Sequence, residues 1–85
     1  MAWVYVVQNL DGHFYIGMTT DLEARIRDHN FGRSKWTKYR GPWSLVWSQE
    51  CLTIGEARKL ENKLKRQGRG SGFYRMTGLQ PPSGS

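Results

Sequence analysis

The chain has 85 residues, 38% of them hydrophobic, and a chain this short can bury one modest core but not two. Thirteen Lys and Arg against seven Asp and Glu give a net charge of +6, which suits a partner rich in phosphate but is also compatible with solubility alone. The lone Cys51 excludes an intramolecular disulfide. A single cysteine, the lack of a signal-like start and the lack of a long apolar run together predict a cytoplasmic location. We expect Cys51 to lie in the core.

The first predicted element is a β-hairpin. Residues 3–7 and 13–17 are rich in β-branched and aromatic side chains, and turn residues separate the two runs. Asp11 and Gly12 form a pair that readily takes the positive φ angles of a tight antiparallel connection. The hairpin brings Tyr5 and Tyr15 side by side on adjacent strands, and we expect both hydroxyls to be partly exposed.

A helix is predicted next, over about residues 21–30. Thr20 and Glu23 have the spacing of a capping box, which satisfies free amides at a helix start. Leu22 and Ile26 supply its core face. Arg25 and His29 are four residues apart, so they project together from a neighbouring face.

The middle of the chain is predicted to be a basic loop followed by a third strand. Residues 31–42 are polar and rich in turn residues, with at most one helical turn around residues 35–39. Alternation of apolar and polar residues returns over residues 43–48 and predicts a strand.

A second helix is predicted over about residues 54–67. Thr53 and Glu56 form a second capping box at its start. Its buried stripe consists of Ala57, Leu60 and Leu64, with Glu61 at the edge of that stripe.

The predicted order of elements is β-β-α-β-α. This order indicates an α+β fold, a three-stranded antiparallel sheet flanked by helices. We expect one domain over residues 1–78, in which the glycines after residue 67 end the second helix and residues 73–74 return to the core. Residues 79–85 are expected to form a flexible C-terminal tail.

Two short elements in the hairpin resemble the paired motifs of GIY-YIG nucleases. The run Val-Tyr-Val over residues 4–6 keeps the tyrosine of the first motif, and Tyr-Ile-Gly over residues 15–17 matches the second letter for letter. The pattern continues with Arg25 and His29 on the first helix and with Glu61 on the second. The resemblance spans residues 3 to about 78 and is greatest to small stand-alone bacterial members. Several members place an Asn after the second helix, whereas residues 73–75 contain none.

The resemblance implies a metal-dependent endonuclease that hydrolyses DNA phosphodiester bonds, with a preference for DNA structure and a role in repair or recombination. The catalytic residues it implies are Tyr5, Tyr15, Arg25, His29 and Glu61. The chemistry of each side chain suits that reaction: a tyrosine whose pKa is lowered by nearby cations can take the proton from water, and an arginine fork can hold phosphate. An imidazole can relay a proton or orient a tyrosine, and one carboxylate with substrate phosphate suffices for Mg²⁺ or Mn²⁺.

Each of these residues also has a structural interpretation that stays open. Tyr5 and Tyr15 are ordinary strand aromatics, Arg25 and His29 ordinary helix residues, and Glu61 can pair with Lys65 one turn later.

Basic side chains in the loop and the second helix form the expected contact surface for DNA. They are Arg33, Lys35, Lys38, Arg40, Lys63, Lys65, Arg66 and Arg69. The alternative function is a catalytically silent nucleic-acid-binding module that uses the same cations and stacks bases on whichever of Trp36, Tyr39 and Trp43 are exposed. In either case the protein is expected to be a monomer or a weak dimer.

Overall fold

A three-stranded antiparallel sheet with helices on both faces forms the fold, according to a computed structural model that describes residues 1–30, 41–67 and 71–79. The elements in chain order are β1 (Ala2–Asn9), β2 (Phe14–Thr19), α1 (Leu22–Asn30), β3 (Trp43–Cys51), α2 (Ile54–Gln67) and α3 (Ser71–Thr77). The predicted α+β class is confirmed. The predicted order lacks α3, because the glycines around residue 70 indicate that the chain leaves the helix there. In the structure, burial of Phe73 against the core stabilises a further short helix.

The middle strand β1 is buried on both of its faces. The strand order is β2-β1-β3, so β1 pairs on both sides and its side chains alternate between two cores. On one face, Val4 and Val6 pack with α2 and α3 residues, namely Ala57, Leu64 and Phe73. On the other face, Tyr5 and Val7 pack with Trp43, and Leu22 and Ile26 of α1 cover them.

The β1–β2 connection positions the two strands in register. The Gly12 N–H donates to the Asn9 carbonyl at 3.1 Å, and the Asn9 N–H donates to the His13 carbonyl at 3.0 Å. Gly12 has a φ of 87°, which a residue without Cβ adopts at little cost, as the sequence predicts. The connection is therefore a three-residue loop over residues 10–12.

The starts of the two longer helices differ in how well the sequence predicts them. At α1 the cap is Asp21, whose carboxylate accepts the Ala24 N–H at 3.2 Å, and not Thr20 as expected. The Thr19 hydroxyl accepts the Asp21 N–H at 3.1 Å, and this turn directs the Asp21 side chain at the helix. At α2 the expected cap is present.

The α2 cap consists of two hydrogen bonds. The Thr53 hydroxyl accepts the Glu56 N–H at 3.1 Å, and the Glu56 carboxylate accepts the Leu52 N–H at 3.3 Å. The return bond thus reaches one residue further back than a standard capping box.

A hydrogen bond ties the end of α1 to the start of β3. The Trp43 N–H donates to the side-chain oxygen of Asn30 at 2.6 Å. Residues 31–40, which include the loop predicted from the sequence, lie outside the described residues. No helix in the described ranges is long and apolar enough to cross a membrane.

Candidate active site

Both hairpin tyrosines lie on the face of the sheet that α1 covers. Tyr5 is opposite Gly17 and Tyr15 is opposite Val7, so the two rings are diagonal neighbours. Tyr5 is only 1% exposed, contrary to the expectation of a partly exposed hydroxyl. Its ring lies over Gly17, where an added Cβ would come within 2.6 Å of Cζ of Tyr5. Glycine at position 17 therefore leaves the space that the Tyr5 ring fills.

Two residues of α1 hold the Tyr5 hydroxyl. Nε of Arg25 donates to this oxygen at 3.3 Å, and Nε2 of His29 lies 2.8 Å from it. The spacing of four residues does project Arg25 and His29 together, as the sequence predicts. His29 is 1% exposed, so it is not the partly exposed helix residue of the structural interpretation.

The protonation states of Tyr5 and His29 follow from their burial. Burial raises the pKa of Tyr5 to about 12 against the opposing effect of Arg25. Burial and the positive charge of Arg25 lower the pKa of His29 to about 4. At neutral pH both groups are uncharged. Arg25 only donates, so the Tyr5 oxygen accepts its N–H, and the same hydroxyl shares a second hydrogen bond with Nε2 of His29.

The net pKa shift of Tyr5 is opposite to the direction expected from its nearby cations. Arg25 does lower the pKa of Tyr5, but the loss of hydration on burial is the larger effect and the net direction is upward. Tyr5 is therefore a buried hydrogen-bonding group in this structure, with a role in holding Arg25 and His29.

Tyr15 has a more open position than Tyr5. It is half-buried, and its ring centroid lies 4.9 Å from that of His29. Burial tends to lower the pKa of Arg25, but hydrogen bonds and charge interactions with Tyr5 and Tyr15 outweigh burial and raise it. Tyr15 also lines an open cavity of about 470 Å³ together with Phe14, Ile16 and Lys65. Of the two tyrosines, Tyr15 is the one a solvent-borne substrate can reach.

Glu61 approaches this region from α2. Its side chain is only 16% exposed, and Nζ of Lys65 lies 3.1 Å from its carboxylate. Its negative charge is among the causes that raise the pKa of Tyr5, after burial, so the carboxylate lies within electrostatic reach of the tyrosine. The ion pair between Glu61 and Lys65, which the structural interpretation of Glu61 predicts, is thus present. Because the ammonium of Lys65 is exposed, it can exchange Glu61 for another partner.

A metal ion at this site would depend on Glu61. Within residues 1–30, 41–67 and 71–79, no group of three or more His, Cys, Asp or Glu side chains is arranged to hold one. A single carboxylate fits Mg²⁺ or Mn²⁺, which keep several waters and complete their coordination with substrate phosphate. It does not fit zinc held by protein ligands alone.

The expected DNA-contacting cations are only partly within the described chain. Lys63, Lys65 and Arg66 are exposed on α2, as a contact surface requires. The other members of the set lie outside the described residues, and they are Arg33, Lys35, Lys38, Arg40 and Arg69. Trp43 is 5% exposed in the core beside Tyr5, so it is not among the exposed aromatic residues expected to stack bases. Trp36 and Tyr39 also lie outside the described residues.

Sequence reasoning did not identify Phe14 as a site residue. Its ring packs on Phe73 with centroids 5.2 Å apart and also lines the cavity beside Tyr15. An aromatic residue in a strand ordinarily indicates core, so no signal in the sequence marked it.

Known proteins resemble this chain in sequence and in structure. Residues 1–73 match the GIY-YIG catalytic domain. A UPF0213 protein of Streptococcus pneumoniae serotype 4 is 41% identical over 69 residues, which are 80% of this chain and 70% of that protein. A UPF0213 protein of Staphylococcus haemolyticus is 41% identical over 64 residues, which are 74% of this chain and 78% of that protein.

The fold also has a relative among solved structures. The solution NMR structure of a UPF0213 protein from Bacillus halodurans has a TM-score of 0.52 and 31% identity, covering 96% of this chain and 100% of that chain. The chain therefore belongs to the GIY-YIG family, a nuclease family. Within that family it is similar to the UPF0213 proteins, which are small and stand-alone.

Proposed function

We propose that this protein is a DNA endonuclease that hydrolyses phosphodiester bonds with one divalent metal ion, Mg²⁺ or Mn²⁺. The observation that carries the proposal is the chain of hydrogen bonds from the partly exposed Arg25 through the buried Tyr5 to the buried His29, with Tyr15 on the same face and Glu61 nearby. A purely structural role would not require both an arginine and an imidazole on one buried tyrosine hydroxyl. Members of the GIY-YIG family generally depend on divalent metals, which agrees with the proposal.

Glu61 is the residue that would hold the metal. Binding would require Lys65 to leave the carboxylate, an exchange that a half-exposed ammonium permits at little cost. When bound, a divalent ion supplies positive charge to a phosphate oxygen and makes bound water more acidic.

Arg25 is the residue proposed to hold the scissile phosphate. Its Nε is occupied by Tyr5, and its NH1 lies 4.0 Å from Asp28. The guanidinium is fixed in direction by these contacts and still 34% exposed. A planar donor group held in this way can offset the charge that develops on phosphorus oxygens during hydrolysis.

Tyr15 is proposed to accept the proton of the attacking water, while Tyr5 and His29 act as positioning residues. The Tyr5 hydroxyl is buried in a hydrogen bond with His29, whereas Tyr15 is half-buried and lines an open cavity. His29 contacts both rings and so sets the distance between them. A general base must reach the water it deprotonates, which favours Tyr15 over Tyr5.

The basic side chains of α2, with those of the 31–40 segment and Arg69, are proposed to contact the DNA backbone. Binding should then fall steeply as salt rises. Neutralising Arg33 and Lys35 together should weaken binding to all sequences about equally and flatten the salt dependence. An unchanged slope in a salt titration would remove this segment from the interface.

The alternative is a catalytically silent nucleic-acid-binding module. Burial of Trp43 removes one of its three candidate stacking residues, and the module leaves the buried Tyr5–His29 contact without a purpose. We therefore favour catalysis, on branched or otherwise structured DNA in repair or recombination.

The test is cleavage of labelled linear, branched and single-stranded DNA in the presence of magnesium, manganese or a chelator. Glu61→Gln keeps side-chain size but removes the charge that attracts the metal, so cleavage should fall by orders of magnitude while DNA binding survives. Glu50→Gln, at an exposed carboxylate on β3, is the matched control and should cut like the parent. Full activity of Glu61→Gln at saturating magnesium would show that the ligand assignment is wrong.

A further inference from the structure

The cavity at β2 lies at an outer edge of the described sheet. Its lining residues are Phe14, Tyr15, Ile16 and Lys65, and its volume is about 470 Å³. Consecutive residues of a strand point to opposite faces, so the cavity wraps around the strand edge. Phe14 contacts Phe73 on one face, and Tyr15 contacts His29 on the other. One cavity therefore receives aromatic walls from both faces of the sheet.

The strand edge also supplies polar main-chain groups to this cavity. The pair formed by Asn9 and His13 is hydrogen-bonded, and such pairs alternate with non-bonded ones along an antiparallel ladder. By this alternation the N–H and C=O groups of Phe14 and Ile16 point away from β1, toward the outer edge. The cavity thus combines aromatic rings with main-chain donors and acceptors.

Lys65 supplies the positive charge of the cavity. Its ammonium is 3.1 Å from the carboxylate of Glu61, and its side chain is 52% exposed. This position lets the same ammonium turn to an anion in the cavity. Lys65 therefore connects the cavity directly to the carboxylate proposed to bind metal.

We propose that this cavity is a subsite for a single unpaired nucleotide of DNA, next to the bond that is cut. The inference rests on the proposed function and adds the feature of DNA that the site recognises. A base released from the double helix stacks on the aromatic walls and meets the main-chain groups with its polar edge, while Lys65 binds its phosphate. The cavity has the size of small-ligand sites, which is sufficient for one base. Substrates with a bulge, a flap or an open end fulfil this requirement.

The test compares binding of the full chain to short DNA duplexes that differ at one position. A chelator is present, so that no metal-dependent cleavage occurs. One duplex is fully paired, one carries a single unpaired 2-aminopurine, and one carries an abasic residue at that position. The parent should bind the 2-aminopurine duplex at least about tenfold more tightly than the paired duplex, the factor that stacking of one base supplies. Its fluorescence should change as the base stacks in the cavity.

Two variants and a control variant assign this preference to the cavity. Lys65→Gln should remove most of the preference, whereas Lys63→Gln, at an exposed lysine of the same helix, should weaken both complexes equally and keep it. Phe14→Leu, checked by thermal unfolding, should reduce the fluorescence change. Equal affinity for paired and unpaired duplexes would overturn the proposal. So would tight binding of the abasic duplex, or a full preference in Lys65→Gln.

The outcomes separate the subsite from the nuclease proposal. If the protein cuts paired DNA as readily as bulged DNA, the nuclease function stands and the subsite is wrong. If it selects the unpaired base but cuts no substrate with any metal, the subsite stands and the proposed function is wrong.

Discussion

The hydroxyl of Tyr5 lies 2.8 Å from Nε2 of His29, and each residue is only 1% exposed. The pKa of Tyr5 is raised to about 12 and that of His29 is lowered to about 4, both chiefly by burial. Between these two pH values both side chains are uncharged. This contact joins the first hairpin motif to α1 and thereby sets where Arg25 lies.

Tyr5→Phe should destabilise the protein. The substitution leaves Nε2 of His29 buried without its partner, and an unsatisfied buried polar group costs about 1–3 kcal/mol. Urea unfolding at neutral pH measures the loss, with Tyr74→Phe as a control at a half-buried ring. If both variants unfold at the same urea concentration, the Tyr5–His29 bond contributes nothing measurable to stability.

Tyr15→Phe should leave stability nearly unchanged and slow DNA cleavage. Only the hydroxyl of a half-buried ring and its interaction with Arg25 are lost, whereas removal of a general base typically costs about a hundredfold to ten-thousandfold in rate. The loss should exceed that of Tyr5→Phe once each rate is compared at a temperature where both variants are folded. Cleavage within a few-fold of the parent for Tyr15→Phe would show that this phenol does not handle the proton.

His29 should make the protein less stable as the pH falls from about 6.5 to about 4. The unfolded chain binds a proton to His29 below its ordinary pKa of about 6.5, while the folded chain does so only near pH 4. Stability from this residue is therefore complete above pH 6.5 and is lost toward pH 4, by up to about 1.4 kcal/mol per pH unit. Unfolding free energies of the parent and His29→Gln across this range give the difference, and parallel curves would contradict the prediction.

Gly17→Ala should destabilise the site around Tyr5, although the substitution adds only one methyl group. The added Cβ would collide with the Tyr5 ring, which Arg25 and His29 prevent from moving aside. Such overpacking costs about 1–3 kcal/mol. Gly55→Ala is the matched control, because its Cβ would meet only the Thr53 hydroxyl at 3.9 Å and alanine favours the helix. A thermal melt in which both variants match the parent would show that the Tyr5 ring is free to shift.

The local pattern of the chain determined most of the fold. Strand alternation and helical spacing predicted three strands and two helices, and α2 begins and ends where the sequence predicts, although α1 is capped by Asp21 and not by the expected Thr20. The i to i+4 spacing also determined that Arg25 and His29 project together. These features depend on contacts within a few residues, which a sequence shows directly.

Relationships between distant segments were decided only by the tertiary structure. Periodicity does not report how deeply Tyr5 is buried, and burial rather than neighbouring charge sets its pKa. The helix α3 forms against glycine-rich local signals because Phe73 is buried in a core made by other elements. The cavity at Phe14 and Lys65 exists because α2 packs beside β2, some fifty residues away along the chain, and no local pattern encodes that distance.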